Sequence, residues 1–178
     1  MLSTYLAAYP WLAPAILSTE LIVGLLLASV LAARSRTSWT LAAIAVAVTL
    51  ALTLYPTGRR SPVGCTFDVE LLLLAPEPLA NIALFVPVAL LVAIATGSPL
   101  RGALCGAALS AAIEVLQALV PAIGRACTAD DWLANSIGAA LGAAVAALGL
   151  LLRRRAMRRR GAGSSDRSPI AIDDHAAP

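Results

Sequence analysis

The chain has 178 residues, of which 60% are hydrophobic and 13% charged, and its mean hydropathy is +0.85. No soluble domain can cover that much apolar surface, so the composition excludes a water-soluble enzyme or regulator and places the chain among membrane proteins. The formal charge of +3 is carried by Arg alone and is concentrated, with six Arg between Arg153 and Arg160 and no Lys anywhere; the cluster reads as an anchor beside a membrane helix, with no nucleic acid as partner.

Five stretches have the roughly 20 apolar residues that a hydrocarbon core demands. The first, Leu12–Ala33, carries Glu20 about nine residues in. Its Arg34 and Arg36 follow the apolar run instead of preceding it, which is the wrong order for a cleaved signal peptide. The second, Trp39–Tyr55, is the shortest. The connection Pro56–Pro78 holds Gly58, Pro62, Gly64, Cys65, Pro76 and Pro78, an irregular, turn-rich composition. Asn81 stands at the start of the third span, Leu79–Thr96. Ser98-Pro99 then supplies a cap and a first-turn proline for the fourth, Leu100–Val120. The fifth is Trp132–Leu152, and the stretch from Gly161 to Pro178 has little to bury and is expected to be disordered. Open strands leave backbone groups unsatisfied in lipid, and no ten-residue alternation suggests a barrel, so the expected fold is an all-α polytopic bundle. Residues 1–152 form its transmembrane domain and 153–178 a basic, then disordered, tail.

Arg placement sets an expected orientation. With the C-terminal cluster in the cytoplasm and the N-terminus outside, Arg34, Arg36, Arg101, the six clustered Arg and Arg167 lie inside, and only Arg59, Arg60 and Arg125 lie outside. Tyr9, Trp11, Trp39, Tyr55 and Trp132 then fall near span ends, as interfacial aromatics do. In this topology Cys65 and Cys127 share the outer side, where disulfides persist, and a bridge between them is expected; Cys105, within the fourth span, reads as a small packing residue. The only His, His175, is in the tail, which excludes a His-based catalytic or metal site in the bundle.

The informative residues are hydrophilic ones inside the spans, where a charge is costly and marks a functional candidate. On the fourth span Gly102, Gly106, Ser110 and Glu114 recur at steps of four and share one face, with Gln117 a turn further on. The small residues allow a second helix to approach closely. On the fifth, Asp131 and Asn135 are four apart, and Gly138 and Gly142 continue that face as a Gly-x-x-x-Gly pattern. Asn81, Arg125 and Asp130 fall at the same end, and Glu20 at a similar depth. Asn, Gln and Glu can serve as interhelical hydrogen-bonding groups and Arg125 can neutralise Asp130 or Asp131; Glu114, isolated at its depth, demands a partner.

The run Asn81-Ile-Ala-Leu-Phe85-Val-Pro87, then Glu114-Val-Leu-Gln117, then Arg125 through Asp130-Asp131-Trp-Leu-Ala-Asn135-Ser-Ile-Gly138 and Gly142, resembles the VanZ-like family of small bacterial membrane proteins across roughly residues 79–145. Ala89 stands where many members have Gly, and Thr128 where many have a further Asp, which removes one carboxylate. The resemblance implies a multi-pass protein of the bacterial cytoplasmic membrane with a role in the cell envelope. The member that named the family is associated with teicoplanin resistance, so glycopeptide tolerance is the analogous expectation here.

Three function classes follow. In the first, an outward-facing polar site binds an amphiphile, either a glycopeptide or a lipid-linked envelope precursor, with Arg125 on phosphate or carboxylate and Glu114 and Gln117 on sugar or peptide donors. In the second, an intramembrane enzyme acts on a lipid headgroup or lipid-linked glycan, with Glu114 as general acid or base and Asp130, Asp131 and Asn135 around a divalent cation. In the third, a scaffold uses its polar residues for packing. Membrane lipids are partners in each, no resident cofactor or metal is indicated, and the sequence sets no oligomeric state.

Overall fold

The computed structural model describes residues 8–58, 64–67, 69 and 75–165, the last five by backbone alone. Arg59, Arg60 and Pro62 of the long loop, and Arg167 and His175 of the tail, lie outside the described residues. The described residues contain five long helices: α1 (Leu12–Leu31), α2 (Ser35–Leu54), α3 (Pro76–Thr96), α4 (Pro99–Leu119) and α5 (Ala129–Ser165). All five are long and apolar enough to cross a membrane. Two residues of the long loop, β1 (Cys65–Thr66), pair in parallel with β2 (Cys127–Thr128) just before α5, in the register Cys65 to Cys127 and Thr66 to Thr128.

Helix ends depart from the hydropathy limits for local reasons. α2 starts four residues before Trp39, because Ser38 Oγ reaches the carbonyls of Leu31 and Arg34, both at 3.1 Å, and closes a tight α1–α2 turn. α3 starts at Pro76. Pro76 and Pro78, which suggest loop, stand instead in the first helical turn, where a missing N–H removes no intrahelical bond. Ser98 caps α4 as expected, accepting from the Arg101 N–H at 3.4 Å. α5 continues 13 residues past Leu152, through the Arg cluster to Ser165. Arg is a good helix former, so the helix outlasts its apolar stretch. Helix therefore occupies Gly161–Ser165, where disorder is expected, and the remainder of the tail lies outside the described residues.

α3 is the central helix and packs against the other four, with Val88 through Ile94 buried without a break. A helix apolar on every side belongs inside. Around it run α1, α5, α4 and α2. The α1–α5 and α4–α5 seams are close, whereas α2 leans mainly on α3 and barely meets α1. The closest approach is α5 on α3. A Cβ at Gly138 would collide with the Ile82 carbonyl, and one at Gly142 with the Val86 carbonyl. The four-residue step of the glycines matches the four-residue step from Ile82 to Val86, so the two backbones run side by side. On α4, Gly102 lies against Ala89 and Ala93 of α3, and Gly106 against Ala139 of α5. Ala89 is fully buried there, its methyl facing Gly106 and its carbonyl Gly102. Cys105 is one position off this stripe and is exposed, so it is a free thiol on the outer surface of the bundle and not the packing residue expected from sequence.

Candidate functional site

At the end of the bundle where α5 begins, the α4–α5 connection folds over the helix ends. Pro121–Ile123 forms a 3₁₀ turn and Gly124 follows in the left-handed region (φ 70°). Thr57, just past α2, donates its N–H to the Ile123 carbonyl (3.0 Å) and its hydroxyl to the Gly124 carbonyl (2.9 Å). Cys65 and Cys127 are joined by a disulfide, with Cα atoms 4.6 Å apart, which pins the long loop to the start of α5.

Thr128 organises this corner. Its hydroxyl accepts from the Asp131 N–H at 3.1 Å, the N-cap geometry for α5, and its own N–H donates to Glu114 Oε2 at 2.9 Å. The buried Glu114 carboxylate therefore holds the strand-to-helix junction in place. Asn81 Nδ2 donates to Asp131 Oδ1 at 2.6 Å and links α3 to the same turn. Asn135 lies one turn deeper, where its Nδ2 donates to Ser110 Oγ at 2.9 Å between α5 and α4. Thr128→Val keeps the shape and removes the cap, so a loss of about 1 kcal/mol is expected. Thermal unfolding of the purified protein checks this, with Thr128→Ser expected to unfold like the parent.

Gln117 and Arg125 have a task that their positions in sequence did not reveal. The last four carbonyls of a helix have no intrahelical donor. Gln117 Nε2 donates to the Thr53 carbonyl (3.1 Å) and Arg125 Nη2 to the Leu52 carbonyl (3.1 Å), so α4 and the α4–α5 connection cap the end of α2. A cation is favourable at that end of a helix. Gln117 Oε1 and Asn135 Oδ1, both buried, accept nothing from the described residues.

These elements surround an open cavity of about 440 Å³. Its polar lining comes from Thr66, Glu77, Gln117, Arg125, Thr128, Asp130 and Asp131. Three carboxylates and one guanidinium face it, so the cavity is acidic with a basic spot. Asp131 feels the like charges of Glu77 and Asp130 and the opposite charge of Arg125.

Of the residues singled out from sequence, Gln117, Arg125, Asp130 and Asp131 line this cavity; Asn81 and Glu114 support it from behind, and Asn135 belongs to a separate, deeper contact. Asn135 is not among the cavity's lining residues, and its Nδ2 is engaged with Ser110 one turn deeper. Among the described residues, no three His, Cys, Asp or Glu side chains are placed to hold a metal ion. Glu20 lies apart, on α1 and facing a groove between α1 and α2. Glu77, Thr66 and Thr128 were missed as lining residues. Glu77 had a readable signal, since it precedes Asn81 by four residues and so shares its helix face.

No curated protein and no solved structure matches the chain. A family model described as VanZ/LLP1 matches residues 21–152, a wider span than the motifs within 79–145, reaching from α1 into α5. With its five apolar helices and a match over most of its length, the chain belongs to the VanZ/LLP1 family of membrane proteins.

Proposed function

We propose that this is a multi-pass protein of the bacterial cytoplasmic membrane whose polar cavity faces the exterior and binds the headgroup of an amphiphile, a glycopeptide of the teicoplanin type or a lipid-linked envelope precursor. The observation that carries the reading is the open acidic cavity with Arg125 on its wall, at a helix end and so at headgroup depth. An exterior position for this end agrees with the placement of most Arg at the opposite end and with a disulfide at this one. The chemistry suits a headgroup with one anionic group for Arg125 and several N–H or O–H donors for Glu77, Asp130 and Asp131. Binding there would contribute to glycopeptide tolerance by holding the drug or its target.

The enzyme alternative is less well supported. Glu114, the acid or base expected from sequence, stands behind Thr128 with Oε2 engaged and is not among the lining residues. Acid–base chemistry would fall to Glu77, Asp130 or Asp131.

Glu77 gives a clean test, because it is exposed in the cavity and its replacement disturbs no described hydrogen bond. With Glu77→Gln, membrane abundance is expected to stay level while retention of lipid-linked precursor or teicoplanin on the purified protein, followed by mass spectrometry, falls about tenfold, the equivalent of losing one charge-assisted hydrogen bond. Unchanged retention at unchanged abundance would remove the headgroup reading. An altered profile of lipid-linked precursors in cells lacking the gene would favour the enzyme.

A further inference from the structure

On the flank of the bundle α1 and α2 diverge and leave a groove of about 460 Å³ floored by α3 at Pro87. That size is within the range of small-molecule sites, roughly 300–1,000 Å³. Its walls are aliphatic, formed by Leu27 of α1, Leu41, Ile44 and Val48 of α2, and Leu84 and Leu91 of α3. Ile44 and Val48 are half exposed on the rim, on a helix surface that meets lipid tails in a bilayer. Whatever enters arrives sideways through hydrocarbon.

One ionisable group stands in this groove. Glu20 is near the middle of α1, between the groove and a smaller apolar cavity of about 130 Å³ that shares Leu27, Pro87 and Leu91 with it. Glu20 makes no hydrogen bond or ion pair with the described residues, and its Oε2 is shielded from the surface. The helices packed against it offer nothing in return. α2 and α3 bring no charged or titratable side chain to the groove, and the one nearby hydroxyl, on Thr49, is directed to the Leu84 carbonyl at 3.4 Å.

We infer that the α1–α2 groove is a binding site for a lipophilic ammonium compound, an apolar body carrying one protonated amine that pairs with Glu20. The shape calls for aliphatic or aromatic bulk, and the carboxyl calls for an N–H donor of opposite charge. An acyl chain would fill the same volume and leave the carboxyl without a partner in the place where a partner matters most. An anionic headgroup would bring a like charge. The site is separate from the headgroup cavity, shares no lining residue with it and does not depend on that reading.

The test uses the full chain in phosphatidylcholine nanodiscs and two fluorescent probes of equal length, a dansyl-labelled tertiary alkylamine and the corresponding neutral ether. The parent protein is expected to bind the amine at least tenfold more tightly than the ether. Glu20→Gln is expected to bring the amine down to the level of the ether and to leave the ether unchanged. Val48→Trp, which fills the rim, is expected to weaken both probes while the helical spectrum is retained. Equal binding of the amine by the parent and Glu20→Gln would overturn the assignment. So would equal binding of amine and ether by the parent, which would mark a groove for acyl chains only. Absence of saturable amine binding, or full amine affinity in Val48→Trp, would overturn it as well.

Discussion

Replacing Gly138 and Gly142 together by leucine is expected to abolish accumulation of the folded protein in the membrane. A Cβ at either position meets main chain: the Ile82 carbonyl for Gly138, and for Gly142 the Val86 carbonyl together with the Leu90 nitrogen. A side-chain neighbour can change rotamer, but a helix backbone cannot move aside without breaking its own hydrogen bonds. Overpacking a well-filled interior typically costs about 1–3 kcal/mol per site. Two adjacent sites on the largest interface consume much of the roughly 5–15 kcal/mol that holds an ordinary domain folded. Cys105→Leu is the matched control, since it adds similar bulk on the exposed face of α4 and is expected to leave both abundance and unfolding temperature unchanged. Quantitative blotting of membranes and thermal unfolding in detergent report both. Parent-like unfolding of the double variant would mean that α5 does not lie against α3 in this register.

The second large effect is expected from the disulfide. Cys65 and Cys127 close a loop of 62 residues. For a loop of that length the chain-entropy account gives a ceiling of about 4 kcal/mol. The actual loss is expected to be smaller, because α3 and α4 lie inside the loop and stay inserted as helices even when tertiary packing is lost. The sharper consequence is local. The bridge fixes the β1–β2 register, which places Thr66 beside Thr128 on the cavity wall. The Cys65→Ser/Cys127→Ser variant is therefore expected to keep its helical spectrum, to unfold at lower temperature, and to show the reduced retention expected of Glu77→Gln. Alkylation with a heavy maleimide before and after reduction verifies the bridge in the parent. Retention of full ligand binding by the double serine variant would separate the cavity from the loop.

The bundle was legible in the sequence because hydropathy and length set the spans, and because glycine spacing on the fourth and fifth spans marked the faces that meet. Helix ends were less legible. Proline reads as loop, yet Pro76 and Pro78 open α3, and an Arg run reads as the end of a span, yet the backbone of α5 stays helical through it. The candidate site was legible as a place more than as a set of roles. Asn81 and Asp131 are 50 residues apart and pair directly. Gln117 and Arg125 looked like groups waiting for a ligand, and both also satisfy the carbonyl end of α2, 64 and 73 residues away. Nothing local announces such a task, because the need belongs to another helix whose position is set by packing. Glu114 is the converse case. Its depth signalled that a partner was required, but that partner is a main-chain N–H, which every residue possesses and no motif displays.

The unbroken α5 also sets a vertical scale. Asp131 and Arg153 are 22 residues apart on one helix, about 33 Å at 1.5 Å per residue, close to the roughly 30 Å thickness of a bilayer interior. When the guanidinium groups sit among phosphates of one leaflet, this rod holds the carboxylates at the level of the opposite interface. In that placement the basic run would work as the far stop of a ruler, setting how high the cavity rides relative to the lipids around it.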